Sequence, residues 1–225
     1  EGEYKMMGLA PYGDSSKYID KFDSIITNHL GSFKLNMDFF TYEYSDTHMF
    51  NEKLGMELGI ENRLPEEPLT QEHKDLAAAV QSIYEKYFFS LLDKAYKLSP
   101  SRNLCLSGGV FLNCVANYFA LKNSKFTNIF SNNCSSDAGG AVGAALWAWN
   151  NLIDSSNNNK RQETYTGPEY SSDEIKDILI DLKVNYIEYT NRQDLLNSTV
   201  IDLIDNKIIA WFQGKMEFGP RALGN

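Results

Sequence analysis

Gly214, Gly219 and Gly224 stand around Lys215, Glu217 and Arg221 in the run IAWFQGKMEFGPRALGN, from Ile209 to Asn225. Amides beside glycine and a guanidinium fork together suit a planar oxyanion, with Arg221 shaped to hold it and Glu217 placed to orient the arginine. An ordinary surface turn has much the same composition. Ser107, Gly108 and Gly109 lie in LCLSGGVFLN, from Leu104 to Asn113. Two adjacent glycines after a strand let the main chain approach a phosphate with no Cβ in the way, and the alternative is a tight strand-to-helix turn. Asp137, in CSSDAGGAVGAALWAW from Cys134, also admits two readings. It caps the following helix, worth about 1 kcal/mol, or it offers a hard oxygen to a divalent cation beside Gly139 and Gly140. In EGEYKMMGLAPYG at the start, Lys5 suits a phosphate or an exposed place on a helix, and Met6 and Met7 read as packing.

These groups must be held by regular elements. Residues 1–13 read as a loop entering or leaving a helix, and Lys34 to Tyr44 as an extended aromatic piece. Pro65 and Pro68 break the chain before Thr70, a helix N-cap with Glu72 in the first turn. Leu76, Val80, Ile83, Tyr84, Tyr87, Leu91 and Leu92 then recur at helical spacing, predicting a core helix to Ser99. Asn103 to Leu106 is a short buried strand, the glycine pair a turn, Val110 to Leu121 mostly helix, Asn128 to Ser131 a strand, and Asp137 opens a helix through Trp149. The polar run from Asn150 to Thr166 has the composition of a linker. Beyond it the pattern predicts helices at 172–182 and 194–205, a strand at 184–189, and a buried strand at 207–212.

A chain of 225 residues with 43% hydrophobic content can bury a real core as one large domain or two small ones. It has no apolar run of about eighteen residues and no signal-like start, so a soluble, cytoplasmic protein without membrane contact is expected. A net charge of -9 argues against a nucleic-acid partner and leaves room for local cation clusters. Cys105, Cys114 and Cys134 are odd in number and unpaired in spacing, and are expected to be buried free thiols. His29, His48 and His73 are too scattered for a metal site.

In order, the four glycine-rich stretches resemble the O-carbamoyltransferases that modify nodulation factors, aminoglycosides and cephem antibiotics. LNMDFFTYEY from Leu35 and LTQEHKDLAAAVQSIYEKY from Leu69 are similar to that family as well. The resemblance implies an α/β fold in which residues 1–150 are the later part of an actin-like, sugar-kinase-like (ASKHA) ATPase domain. Residues 151–166 are then the linker, and 167–225 the start of a YrdC-like domain. It implies carbamoyl transfer from carbamoyl phosphate, through ATP and a carbamoyl adenylate, to a hydroxyl of a small-molecule or sugar acceptor. By the same resemblance, Gly2, Glu3 and Lys5 lie against the nucleotide, and Ser107, Gly108, Gly109 and Asn113 bind it. Gly139 and Gly140 are cofactor-binding as well, letting phosphates approach beside Asp137, which binds a divalent metal, iron or magnesium, with a histidine pair and a second aspartate upstream. Lys215, Glu217 and Arg221 then serve activation, and the chain by itself is expected to be inactive, as an interior piece of a longer protein. A tRNA threonylcarbamoyl-transfer protein and a non-catalytic nucleotide-binding module are the alternatives. The MEFGPRALGN run and the acidic charge speak against the first, and the intact Gly108, Gly109, Asn113 and Asp137 against the second.

Overall fold

Helix α1 (Glu3–Leu9) takes up most of the first motif, where a loop was expected. It opens the described part of a computed structural model, residues 3–29, 32–153 and 163–219. Tight 3₁₀ turns follow, and then an antiparallel hairpin of β1 (Ile26–His29) and β2 (Ser32–Leu35) that sets Ile26 opposite Leu35. The aromatic piece expected to be extended to Tyr44 leaves the strand at Leu35. Asn36 accepts the amide of Asp38 at 3.1 Å and starts a 3₁₀ turn over Met37–Phe39. Helix α2 (Glu52–Leu58) stops at Gly59, whose φ of 69° is the left-handed cap that glycine adopts without strain.

Helix α3 (Gln71–Leu98) is the axis of the first half. It starts where predicted, but the Thr70 cap is completed by His73, whose side chain reaches back to the Thr70 amide at 3.0 Å. Its two halves serve two cores. Ala79 packs with Tyr18, Ile25, Phe39 and Leu58, its small side chain letting the N-terminal segment come close. Phe88 and Leu92 pack with Leu106, Ala116, Ala120 and Phe126, and such burial is worth about 2 kcal/mol for each large side chain.

The second core lies under a βαβ unit. Strand β3 (Asn103–Leu106), a 3₁₀ turn over Gly109–Leu112, helix α4 (Cys114–Asn123) and strand β4 (Asn128–Ser131) follow in order, and β3 pairs with β4 in parallel, Asn103 opposite Asn128. Strand β3 was expected to be buried, yet only Leu106 is, because a two-stranded sheet covers one face and alternate residues face away. The same alternation exposes Cys105. Cys114 is exposed at the start of α4, so Cys134 is the buried thiol of the expected three.

The residues divide into two compact units, Glu1–Asn132 and Asn133–Asn225. The second contains helices α5 (Ala138–Ala148), α6 (Ser172–Asp181) and α7 (Arg192–Ile204). A capping box between Ser171 and Glu174 starts α6, and Asn191 caps α7 through the Gln193 amide at 2.9 Å. The strands predicted at 184–189 and 207–212 do not form among the described residues. Both runs have strand propensity, but a strand exists only where a neighbour takes its backbone hydrogen bonds, and neither run has a ladder. Ile208 and Trp211, expected to be buried, are accordingly exposed. No helix among the described residues is long and apolar enough to cross a membrane.

Candidate functional site

In the first unit, Ser107, Gly108 and Gly109 form the turn at the carboxyl end of β3, the end at which parallel sheets present loops to ligands. Gly108 has φ of 124°, a conformation that a side chain would strain. Ser107 and Gly109 are exposed and Gly108 half-buried. The turn is braced from below, where the Phe111 carbonyl accepts from Asn117 Nδ2 at 2.7 Å and from Ser131 Oγ at 3.2 Å, the latter at the end of β4.

Asn113 follows the turn directly and caps α4, its Oδ1 accepting the Ala116 amide at 3.1 Å. It also meets Gln81 of α3. Asn113 Nδ2 donates to Gln81 Oε1 at 2.8 Å, and Gln81 Nε2 donates to Asn113 Oδ1 at 3.3 Å and to Glu85 Oε1 at 2.7 Å. Gln81 and Glu85 line a cleft of about 290 Å³ with Ser82 and Ala78 of the same helix, Val115 of α4, Met7, Ala10, Pro11 and Gly13 of the first motif, and Ser15 just after it. The first motif thus borders the cavity directly, and the second reaches it through the bonds of Asn113 to Gln81. Beside it, burial pushes the Tyr84 phenol up to about 12, with the Glu85 carboxylate adding to the rise.

The N-terminal segment that ends the first motif and follows it is held against α3 by two devices. Gly13 sits where a Cβ would come within 1.9 Å of the Lys74 carbonyl oxygen, so the chain touches the helix backbone there. Asp75, wholly buried, accepts from Lys17 Nζ at 2.5 Å, from the Asp14 amide at 2.8 Å and from Gln71 Nε2 at 2.8 Å. Those bonds, the Lys17 ammonium first, hold its carboxyl down to about 2. Lys5 is exposed on α1 with its ammonium 5.9 Å from the Tyr4 ring centroid. Glu3 begins that helix, and Gly2 lies outside the described residues.

In the second unit, Asp137 occupies the N-cap position of α5, but its own backbone is helical and its side chain makes no capping bond. Capping needs an extended backbone to aim the oxygen at the first free amides, so the exposed carboxylate is not committed to the helix end. A single carboxylate fits one position of a metal shell. Among the described residues no three His, Cys, Asp or Glu side chains are grouped to complete one. Gly139 touches the preceding turn, where a Cβ would come within 2.2 Å of the Cys134 carbonyl oxygen, whereas Gly140 opens onto free space.

The described part of the last motif is held at Met216 and Phe218 by backbone pairing. The Phe218 amide donates to Thr164 at 2.9 Å, the Gly167 amide to Met216 at 2.9 Å, and the Met216 amide to Pro168 at 2.8 Å. Asn133 Nδ2 donates to the Phe218 carbonyl, so the segment ahead of Asp137 holds the segment that contains Lys215 and Glu217. Lys215 is exposed and Glu217 half-buried. Arg221 lies outside the described residues. Gln81, Glu85, Asp75 and Gly13 are the site residues that sequence reasoning missed. Asp75 alone carried a signal, a carboxylate one helical turn from Ala79 and two from Ile83 on an apolar face.

The sequence matches the family described as "Carbamoyltransferase N-terminus" over residues 1–146 and "Carbamoyltransferase C-terminus" over residues 200–225. It is 41% identical to an uncharacterized protein of Synechocystis, covering 99% of this chain and 37% of the relative. It is 35% identical to nodulation protein NolNO of Sinorhizobium fredii, over 99% of this chain and 31% of the relative. It is 28% identical to a 3'-hydroxymethylcephem-O-carbamoyltransferase of Amycolatopsis lactamdurans, over 98% of this chain and 37% of the relative. The chain therefore spans about a third of the length of these relatives.

Proposed function

The chain belongs to the carbamoyltransferase family, and we propose that the full-length protein is an ATP-dependent O-carbamoyltransferase acting on a hydroxyl of a small-molecule or sugar acceptor. In this reading residues 1–150 belong to an ASKHA-type domain, 151–166 are the linker, and 167–225 begin a YrdC-like domain. The protein works in the cytoplasm without nucleic acid or membrane as partner. The observation that carries the reading is the exposed Ser107–Gly109 turn at the carboxyl end of β3, next to Asn113 and the cleft beneath the first motif.

Carbamate is a poor acyl donor, because its carbonyl is resonance-stabilised and its leaving group is bad. Hydrolysis of carbamoyl phosphate yields carbamate and phosphate, and attack of a carbamate oxygen on the α-phosphorus of ATP releases pyrophosphate. The bound nucleotide thereby supplies AMP as a leaving group. An acceptor hydroxyl then attacks the carbonyl, loses its proton, and expels AMP. Arg221 holds the carbamate oxyanion through its planar fork, Glu217 orients that arginine, and Lys215 adds positive charge for the phosphates. Amides of the Ser107–Gly109 turn and Asn113 hold the nucleotide, with Gly2, Glu3 and Lys5 against it. Asp137 would hold iron or magnesium, with ligands beyond the described residues and with Gly139 and Gly140 leaving phosphates room, and the cation would neutralise phosphate charge.

The full-length protein given ATP and carbamoyl phosphate should release pyrophosphate only when both are present. Gly109→Val should abolish ADP binding in calorimetry while helical circular dichroism is kept, because a branched side chain blocks approach to the turn. No release that depends on carbamoyl phosphate would sink the activity, and unchanged ADP affinity would return the turn to a purely structural role.

A further inference from the structure

The hydrogen bonds around Asn113 form a chain with a fixed direction, which starts at a group that can only accept. Glu85 Oε1, as a carboxylate oxygen, takes a hydrogen from Gln81 Nε2 at 2.7 Å, so the Gln81 amide must turn its nitrogen toward Glu85. Gln81 Oε1 is then left facing Asn113 Nδ2 at 2.8 Å. At the other end the Ala116 amide, which can only donate, draws Asn113 Oδ1 at 3.1 Å. Both ends demand the same orientation of the Asn113 amide. With Gln81 Nε2 also reaching Asn113 Oδ1 at 3.3 Å, both acceptor sites of that oxygen are taken. One Nδ2 hydrogen is left, and among the described residues it has no partner.

Resting on the nucleotide-binding reading above, we infer that Gln81, oriented by Glu85, is a positioning residue that makes Asn113 a pure donor toward an oxygen of the bound nucleotide. Without Gln81 the Asn113 side chain keeps its cap on α4 but is free to rotate about its remaining bonds. The ligand then has to order it on binding, a loss of pre-organisation. Gln81 itself touches no reacting atom.

The test is a double-mutant cycle on the full-length protein, read as ADP affinity by calorimetry. Gln81→Met keeps the length of the side chain and removes both ends of the amide. Asn113→Ser keeps an N-cap but is too short to reach Gln81. Gln81→Met should weaken ADP roughly five- to tenfold, the size of one hydrogen bond, and should have no further effect in the Asn113→Ser background. An equal loss in both backgrounds, or none in either, overturns the inference. Unchanged affinity in Asn113→Ser alone overturns instead the reading of Asn113 as a nucleotide contact. Gln81→Glu gives a second readout should the methionine variant fold poorly. Its carboxylate faces that of Glu85, so its affinity relative to the parent protein should recover as pH falls and the pair takes up a proton. A ratio independent of pH also overturns the inference.

Discussion

Gly8 and Gly13 belong to the same motif, and the structure assigns opposite effects to adding one methyl group at each. A Cβ on Gly13 would lie 1.9 Å from the Lys74 carbonyl oxygen, 2.2 Å from its carbon and 2.6 Å from the Asp75 nitrogen. All three atoms are backbone of α3 and cannot swing aside as a side-chain tip would. Reaching ordinary contact requires the segment and the helix to part by about 1.5 Å, overpacking that costs about 3 kcal/mol. A Cβ on Gly8 meets nothing within 4 Å. In a helix that exchange removes backbone freedom from the unfolded chain and stabilises by about 0.5–1 kcal/mol.

Gly13→Ala should therefore lower the melting midpoint of the first unit by roughly 10 °C, whereas Gly8→Ala should raise it by a few degrees or leave it unchanged. Far-UV circular dichroism follows α3, the longest helix. The tryptophans, Trp147, Trp149 and Trp211, all lie in the second unit, so their fluorescence reports on the other half of the chain. The Gly13 effect should appear in the dichroism and much less in the fluorescence. Equal midpoints for Gly13→Ala and the parent protein, or equal losses for the two variants, would refute the close approach.

Asp75 supplies a pH test, because its folded value of about 2 lies below the ordinary 3.8. Its contribution to stability is complete above pH 4 and is lost as pH falls through about 2, so urea midpoints should drop across that window and Asp75→Asn should flatten the drop. Asp137→Asn keeps the shape and removes the charge, and should lower the metal content of purified full-length protein. Stoichiometric metal with full transfer activity would remove Asp137 from the metal shell. Arg221→Ala should slow carbamoyl adenylate formation about a hundredfold, the loss of a transition-state contact of about 3 kcal/mol. Preformed adenylate should rescue product formation in that variant, and failure of the rescue would count against a role confined to activation.

Where the sequence pattern was local, it was legible. Thr70 and the apolar spacing from Leu76 to Leu92 locate α3 because a helix satisfies its own backbone and needs only one covered stripe. The runs at 184–189 and 207–212 failed for the complementary reason, since propensity cannot provide a partner strand. Lys17 and Asp75 are 58 positions apart, and Gln81 and Asn113 are 32. Each residue type was visible, but the pairing exists only after α3 has set the N-terminal segment on one side and the βαβ unit on the other.

The glycines show how the two kinds of information combine. In a sequence, every glycine of a ligand motif reads alike, as a place where the chain leaves room. Backbone fills that room at Gly13 and Gly139, with carbonyl oxygens 1.9 Å and 2.2 Å from an added Cβ, so those two glycines let the chain pack on itself. At Gly140 the space is open, and at Gly108 the φ of 124° makes glycine the fitting residue whatever the space. A phosphate could use the second pair. The first pair acts one step earlier, with Gly13 seating the wall of the cleft on α3 and Gly139 folding the turn that presents Asp137. Substitutions at Gly13 and Gly139 should therefore act through folding, and those at Gly108 and Gly140 through what the turns can hold.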